Sequence, residues 1–412
     1  MSATRLAGGV AAALGFRAAA AAAGIKSAPA GVRGKRAPTD VALVTSDCPA
    51  VAAGVFTANQ VQAAPVVWSR AVVGARRPVR AVLLNSGNAN ACTGERGQAA
   101  VVRSAEVMAS ILACAPREVL VASTGVIGVP LPIERLTAAM RGLAARLAPG
   151  PRSATAAARA ILTTDTRAKQ HAVSVRIAGR SYVVGGMAKG AGMIHPHMAT
   201  LLGVITTDAP LARGQAQRLL AAAVDRSFNA VTVDGDMSTN DSILLLANGA
   251  AGGKIAPGSR AERALAGALH DVAWTLAEAV AADGEGATKL LVVRVTGALS
   301  YDDARRVART VASSLLVKTA VHGGDPNWGR VLAAAGRAGV ALDPGDLELK
   351  IGGHRVARAG AVYPGGEAAA ARHLKGRRIE MELAIGRGRG TAAALGCDLT
   401  PGYVAINAHY RS

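Results

Sequence analysis

Apolar and polar positions alternate between a strand-like and a helix-like period along this 412-residue chain. Short β-branched runs bounded by Gly, Pro, Asn or Asp recur early, at 41–45, 51–57, 65–69 and 81–85, and predict strands. Helical spacing follows at 95–114 and 133–147, with a strand at 118–123 between them. Pro130 and Pro132 mark entry to the second helix, where a missing N–H costs little. A further helix is expected at 154–161, then strands at 171–177 and 181–184. In the second half an apolar run at 200–206 reads as a buried strand. Helices are predicted at 212–226, 261–282 and 303–316, and strands at 290–295, 378–385 and 403–407. A Gly-rich turn at 284–289 separates a long helix from a new strand and marks a candidate domain boundary. There is no internal repeat or heptad array. The pattern predicts an α/β or α+β fold with large sheets.

Composition narrows the function. With 50% hydrophobic residues the chain can bury the core of two domains or one large α/β unit, and it is far from a disordered composition. The net charge of +20 fits nucleic acid, an anionic membrane or acidic small molecules. Nucleic-acid platforms stack bases on aromatic faces, and only 3% of residues are Phe, Trp or Tyr, so acidic small molecules are favoured. Cys48, Cys92, Cys114 and Cys397 are widely spaced with no C-x-x-C pair, which argues against a disulfide scaffold or structural zinc and fits a reducing cytoplasm. The N-terminal stretch is basic like a transit peptide. Its apolar part, 10–24, is mostly alanine and broken by Arg17, so it is too short and weak to span a membrane.

The densest chemistry lies between Lys189 and Thr200, a loop Lys-Gly-Ala-Gly-Met-Ile-His-Pro-His-Met-Ala-Thr running straight into the strand expected at 200–206. Neither the Walker nor the dinucleotide fingerprint is met, since no Gly-Lys-Ser/Thr ends the loop and His195 stands where a third Gly is needed. Thr200 reads either as a strand-entry residue or as a nucleophile. A Lys, a Gly-x-Gly-Met and an Ala-Thr opening a strand is the arrangement of self-cleaving enzymes. There the threonine hydroxyl attacks the preceding carbonyl, the peptide bond becomes an ester, and water opens it. The liberated amine, with a reference pKa of ~7.7–8.0, can then serve as the nucleophile's own base. A second cluster, Ser123-Thr124-Gly125-Val126-Ile127-Gly128, is either an ordinary strand-to-loop turn or a set of N–H and hydroxyl donors for an oxyanion.

Together these segments resemble the ornithine acetyltransferase (glutamate N-acetyltransferase) family of arginine biosynthesis. The likeness runs from Gly15-Phe16-Arg17 through NSGNANACTG at 85–94, Thr163-Thr164-Asp165-Thr166, SFNAVTVDGDMSTND at 227–241, Glu285 and GDPNWGR at 324–330 to the tail Ile406-Asn407-Ala408-His409-Tyr410-Arg411-Ser412. It implies an αββα-type sandwich with a smaller C-terminal α+β domain. It also implies self-cleavage between Ala199 and Thr200, with an α chain of residues 1–199 and a β chain of 200–412. Residues 200–286 would complete the catalytic domain, 287–412 would form the second domain, and two chains of each kind would assemble. Thr200 would be acetylated in a ping-pong exchange between N-acetylornithine and glutamate, with Thr124 and Gly125 as the oxyanion hole. Lys189 would bind the substrate carboxylate, Thr163 (or its neighbour Thr164) would contact substrate, and Glu285 would hold the ornithine ammonium. Asn407 and Ser412 would close the pocket. No cofactor is implied; in some members acetyl-CoA is a second acetyl donor and therefore a substrate.

Two other readings carry weaker support. A related N-terminal-nucleophile amidase would pass the acyl group to water instead of glutamate. A nucleic-acid-binding protein would use the charge and the run Gly386-Arg387-Gly388-Arg389-Gly390, which a strand-to-turn exit explains equally well. Departures from the family pattern are His195 and His197 around Pro196, and Met237 where Thr is common. The His-x-His pair has no third ligand nearby in sequence, so no metal is expected. His322 and Asp325 are read as a polar turn before a helix at Trp328 rather than a dyad.

Overall fold

The computed structural model describes residues 3–26, 38–195 and 201–409. The first sheet holds β1 (Thr4–Leu6), β2 (Phe16–Ala21), β3 (Val41–Phe56), β4 (Val79–Asn88), β5 (Val119–Val126), β6 (Lys169–Ile177), β7 (Arg180–Lys189), β8 (Leu202–Thr207) and β9 (Ser242–Ala247). Its order is β1-β6-β7-β8-β9-β3-β4-β5, with β2 also paired to β3. Strand β3 belongs to both halves of this ladder. Its residues 41–45 pair with β2 and β4, and after an irregularity between Thr45 and Ala50 its residues 51–56 pair with β9. The sequence suggested two separate strands there; the chain instead runs through as one bent strand that folds the ladder onto itself.

The fold-over makes a sandwich. Phe16, Val44, Val82, Leu84 and Leu120 from one half share a buried core with Met187, Leu202, Val204, Leu244 and Leu246 from the other. The two outer faces are covered by helices. Helices α2 (Gly94–Leu112) and α3 (Ile133–Ala144) pack Met108, Leu136 and Met140 against Leu43, Leu83 and Val121. On the opposite side α5 (Arg213–Asp225) and α6 (Arg260–Ala281) pack Leu220, Leu269, Val272 and Leu276 against Val184, Ile205 and Leu245. The result is four layers, αββα. Helices α1 (Ala64–Gly74) and α4 (Pro151–Ala160) fill the sandwich edges.

A six-stranded sheet begins at Leu290, with order β13-β12-β11-β14-β10-β15. Its strands are β10 (Leu290–Ala298), β11 (Glu348–Ile351), β12 (His354–Arg358), β13 (Ala361–Val362), β14 (Arg378–Ala384) and β15 (Gly390–Cys397). Helices α7 (Tyr301–Ala312), α8 (Leu315–Gly323), α9 (Trp328–Gly336) and α10 (Gly366–His373) accompany it, and α11 (Pro401–His409) follows. Val307 and Val311 of α7 join Leu291, Val293, Leu349 and Leu383 in a second core. No helix among the described residues is long and apolar enough to cross a membrane.

Three predicted elements change identity. The run 65–69 is the start of α1, with Pro65 in its first turn, where no N–H is needed, and Val66, Ser69 and Val72 forming the buried stripe. The run 403–407 lies in α11, again entered through a proline, and has no buried residue, although its β-branched composition suggested a strand. The helix expected over 303–316 ends at Ala312 because Ser314 caps a new one, its hydroxyl accepting from the Val317 N–H. The Gly-Arg-Gly run between β14 and β15 has a backbone explanation. A Cβ on Gly388 would come within 2.0 Å of the Ala298 carbonyl oxygen, and one on Gly390 within 2.2 Å of that of Ser300. Glycine is there to let two backbones touch.

Candidate active site

Thr124, Gly125, Thr163, Lys189, Glu285 and Asn407, drawn from four separate segments and α11, line one pocket. Thr164 lines it as well. Ala199, Thr200, His197 and Ser412 lie outside the described residues. Leu201, the next residue after Thr200, is buried at the entrance to β8, and its N–H donates to Asp241 Oδ1 at 2.7 Å.

The turn at the end of β5 is built by its parallel neighbour. Gly125 pairs in register with Gly87 of β4, and its φ of 131° is reserved for glycine. A Cβ on Gly125 would sit 2.3 Å from the Gly87 carbonyl carbon. The polar motif at 85–90 braces this turn from behind. Ser123 Oγ donates to Asn85 Oδ1 at 2.6 Å, and Asn85 Nδ2 donates to the Asn88 carbonyl at 2.9 Å. Asn240 closes the frame, its Nδ2 donating to the carbonyls of Ala89 at 2.6 Å and Ser123 at 2.9 Å. A buried amide with its partners satisfied fixes the carbonyl just before Thr124 and ties it to the Ala89 carbonyl of the bracing motif.

Lys189 ends β7 and is buried. Its Nζ donates to Thr163 Oγ1 at 2.8 Å and Thr124 Oγ1 at 3.3 Å, and lies 3.9 Å from Asp165 Oδ2. Burial lowers its pKa, and Asp165 opposes that shift. Behind it runs a buried charge relay. Asp165 accepts from the Gly190 N–H at 2.7 Å and from Lys169 Nζ at 2.6 Å, and Lys169 also reaches Asp283 Oδ2 at 2.5 Å. Thr166 donates to Asp283 through both its N–H and its hydroxyl. Burial alone would push Asp165 up, but the Lys189 and Lys169 ammoniums hold it down at about 2. Lys26, whose N–H donates to Asp40 at 3.0 Å, is brought down to about 8, chiefly by burial.

The far wall is strapped to the loop that carries Gly192. Glu285 donates its N–H to the Ala191 carbonyl at 2.8 Å, and Asn407 Nδ2 donates to Glu285 Oε2 at 2.8 Å. A Cβ on Gly192 would lie 2.3 Å from Glu285 Oε2, so that position has to be glycine for the carboxylate to occupy its place. Asp234 accepts from the N–H groups of Met193 and Ile194, the second at 2.8 Å, and anchors the same loop. His195 Nδ1 lies 3.3 Å from Thr232 Oγ1. Met237 is half-buried and does not line the pocket; its carbonyl accepts from Asn59 at 3.0 Å. His322 pairs with Asp398 at 3.1 Å, while Asp325 accepts from Asn327, so residues 322 and 325 form no dyad. Among the described residues no group of three His, Cys, Asp or Glu is placed to hold a metal ion.

Sequence reading missed the supporting residues. Asp165 stood inside a quoted motif, but nothing in the sequence joined it to Lys169 and Asp283, the latter 114 positions beyond Lys169. Asp241 was likewise hidden at the end of a motif. It is fully buried, burial raises its pKa well above 3.8, and its Oδ2 has no hydrogen-bond partner among the described residues.

The comparisons with known proteins are extensive. The model of the ArgJ family matches residues 18–412. An arginine biosynthesis bifunctional protein ArgJ from Symbiobacterium thermophilum is 50% identical, covering 99% of each chain. The protein of the same name from Thermosynechococcus vestitus is 47% identical over 98% of each. Among solved structures, an ornithine acetyltransferase from Mycobacterium tuberculosis, in complex with ornithine, is 41% identical, covering 49% of this chain and 100% of that one at a TM-score of 0.43. With a family match over nearly its whole length and half its residues identical to a full-length relative, the chain belongs to the ArgJ family, the acetyltransferases of arginine biosynthesis that pass an acetyl group from N-acetylornithine to glutamate.

Proposed function

We propose that the acetyl group travels on Thr200 and that the pocket beside Leu201 is where it is transferred. The observation that carries this reading is the convergence of Thr124, Gly125, Thr163, Lys189, Glu285 and Asn407 on one pocket at the end of β7, antiparallel to the strand that Thr200 precedes. The chain first cuts itself. Thr200 Oγ attacks the Ala199 carbonyl carbon, the C–N bond gives way to an ester, and water hydrolyses it to leave a free amine on Thr200. That amine, near neutrality in pKa, takes the hydroxyl proton in the next step.

In transfer, Thr200 Oγ attacks the acetyl carbonyl of N-acetylornithine. The acetyl C–N bond breaks, ornithine leaves with the proton on its amine, and an acetyl ester remains. The glutamate amine attacks that ester, its carbon–oxygen bond to Thr200 breaks, and the hydroxyl is restored. Both tetrahedral intermediates carry an oxyanion, which the Gly125 N–H and the Thr124 hydroxyl would receive. Each donor of this kind is worth ~3–4 kcal/mol in related acyl transfers. Lys189 would hold the carboxylate common to both substrates, with Thr163 beside it. Glu285, oriented by Asn407, would hold the ornithine ammonium, and Ser412 would complete the closure. Two α and two β chains would make the working assembly.

Acetyl-CoA is proposed as a second donor to the same threonine, a reading supported by the name bifunctional that the relatives from Symbiobacterium and Thermosynechococcus carry. The test is the intact mass of the denatured protein together with a Thr200→Ala variant. Wild type should give two fragments, the second starting at Thr200, and the variant a single inactive 41.3 kDa chain. An uncut variant with full transferase activity would refute the mechanism.

A further inference from the structure

Outside the catalytic pocket, one groove gathers several arginines on a single helix face. This groove, between α7, the end of α9 and the loop before Pro196, is lined by four arginines, Arg305, Arg306, Arg309 and Arg337, with His195 and a single carboxylate, Asp302. The α7 members recur at helical spacing, so they form one face of that helix. Only Arg305 is ion-paired, to Asp225 at 2.5 Å and Asp302 at 2.8 Å. Arg306 donates to the Gly339 carbonyl at 3.2 Å and Arg309 to the Asn229 carbonyl, so neither meets a carboxylate among the described residues. Burial above all, and then the neighbouring Arg305, bring Arg309 down to about 10, while Asp225, Tyr301 and Asp302 act in the opposite sense. Asp225 and Asp302 are both engaged by Arg305, so the groove keeps a net positive charge that favours an anion.

The groove adjoins the catalytic pocket. Met193 lines the pocket and His195 lines the groove, and two residues of extended chain span at most ~7 Å. A ligand with its anionic end on α7 therefore needs only a thin, flexible arm over residues 193–195 to deliver a reactive group beside Lys189 and Thr124.

We infer that this groove binds the phosphate-bearing nucleotide end of acetyl-CoA, with the pantetheine arm crossing the 193–195 loop into the catalytic pocket. The inference rests on acetyl-CoA being the second acetyl donor. Planar guanidiniums suit phosphate oxygens, which they can hold by paired N–H bonds, and a diphosphate with a separate ribose phosphate supplies enough negative charge for Arg306, Arg309 and Arg337. N-acetylornithine and glutamate carry no phosphate and do not use the groove.

The test titrates CoA into the wild-type enzyme and into an Arg306→Glu/Arg337→Glu variant by calorimetry, and measures acetyl transfer to glutamate from both donors. An Arg103→Glu/Arg141→Glu variant, with both changes on exposed helix surface, matches the net charge. Reversal at 306 and 337 should weaken CoA binding and raise the KM for acetyl-CoA by about tenfold or more. The KM for N-acetylornithine should be unchanged, and the control variant should match wild type in both. Adenosine 3′,5′-bisphosphate should compete with acetyl-CoA but not with N-acetylornithine. Acetyl-CoA turnover untouched by the reversal would overturn the groove while leaving the second donor standing. CoA binding that is lost on reversal, in an enzyme that never transfers from acetyl-CoA, would keep the groove and overturn the donor. No CoA binding by wild type would overturn the groove outright, as would a change in assembly state on reversal with CoA affinity intact.

Discussion

Asp241 accepts the Leu201 N–H at 2.7 Å through one carboxyl oxygen and keeps the other buried, with no partner among the described residues. It thereby grips the first peptide after Thr200 from the neighbouring parallel strand, where Ser242 also donates its N–H to the Leu201 carbonyl at 3.0 Å. Burial raises the Asp241 pKa well above 3.8, so the folded protein retains a proton that the unfolded chain releases. Its contribution to stability is full below 3.8 and is lost as pH rises through the raised value. Asp241→Asn keeps an acceptor for Leu201 and has no proton to lose. Unfolding midpoints measured from acidic to alkaline pH should therefore show the variant gaining on wild type as pH rises. A constant difference across the range would show that Asp241 does not titrate in the fold.

Asp165 behaves in the opposite sense. Held at about 2 by Lys189 and Lys169 against the effect of burial, it stabilises the fold fully above its ordinary value of 3.8, and that contribution is lost as pH falls toward 2. Asp165→Asn leaves two buried ammoniums short of counter-charge and should cost about 3–5 kcal/mol in denaturant unfolding at neutral pH. The gap to wild type should narrow in acid. A variant as stable as wild type at pH 7 would mean that Asp283 alone compensates the pair.

Gly125→Ala places a methyl against the Gly87 backbone at a φ that alanine does not tolerate. The turn must shift, and with it the N–H assigned to the oxyanion. Acetyl transfer should fall by ~10²–10³ in kcat, with both donors affected alike. Steady-state kinetics with N-acetylornithine would check this, and a near-normal kcat would remove Gly125 from the oxyanion hole.

Gly192→Ala acts on the opposite wall. Its methyl would meet Glu285 Oε2 at 2.3 Å and drive the carboxylate away from Asn407. If Glu285 holds the ornithine ammonium, the KM for N-acetylornithine should rise well above that for glutamate. An equal rise for both substrates would assign Glu285 a general structural role.

Much of the site was legible because its chemistry sits in unbroken motifs. Thr124 and Gly125 follow an apolar run, and Lys189 opens a glycine-rich loop, so spacing marks them as candidates, while their roles come from the family resemblance. The supporting relay was hidden because Lys169 and Asp283 meet only through the packing of α6 beside β6, which no local pattern encodes. The same limit explains the misread elements. Residues 65–69 and 403–407 carry strand-like composition, yet Pro65 and Pro401 each suit a first helical turn; in α1 the burial of Val66 and Val72 also overrides the β-branched preference. The bend in β3 was invisible for a further reason: both of its halves are strand, and only their different partners reveal the two layers.

The order β7-β8-β9-β3 has a mechanical consequence. Strands β8 and β9 follow residue 200, whereas the neighbours that flank them, β7 and β3, precede it. A cut before Thr200 would produce two polypeptides interleaved like shuffled cards, the second wedged into the middle of the first. Each would be held by six-residue ladders on both sides, so neither could slide free without dismantling the central sheet. The severed pieces would then melt together as a single cooperative body, and a newly exposed chain end would remain where it was made.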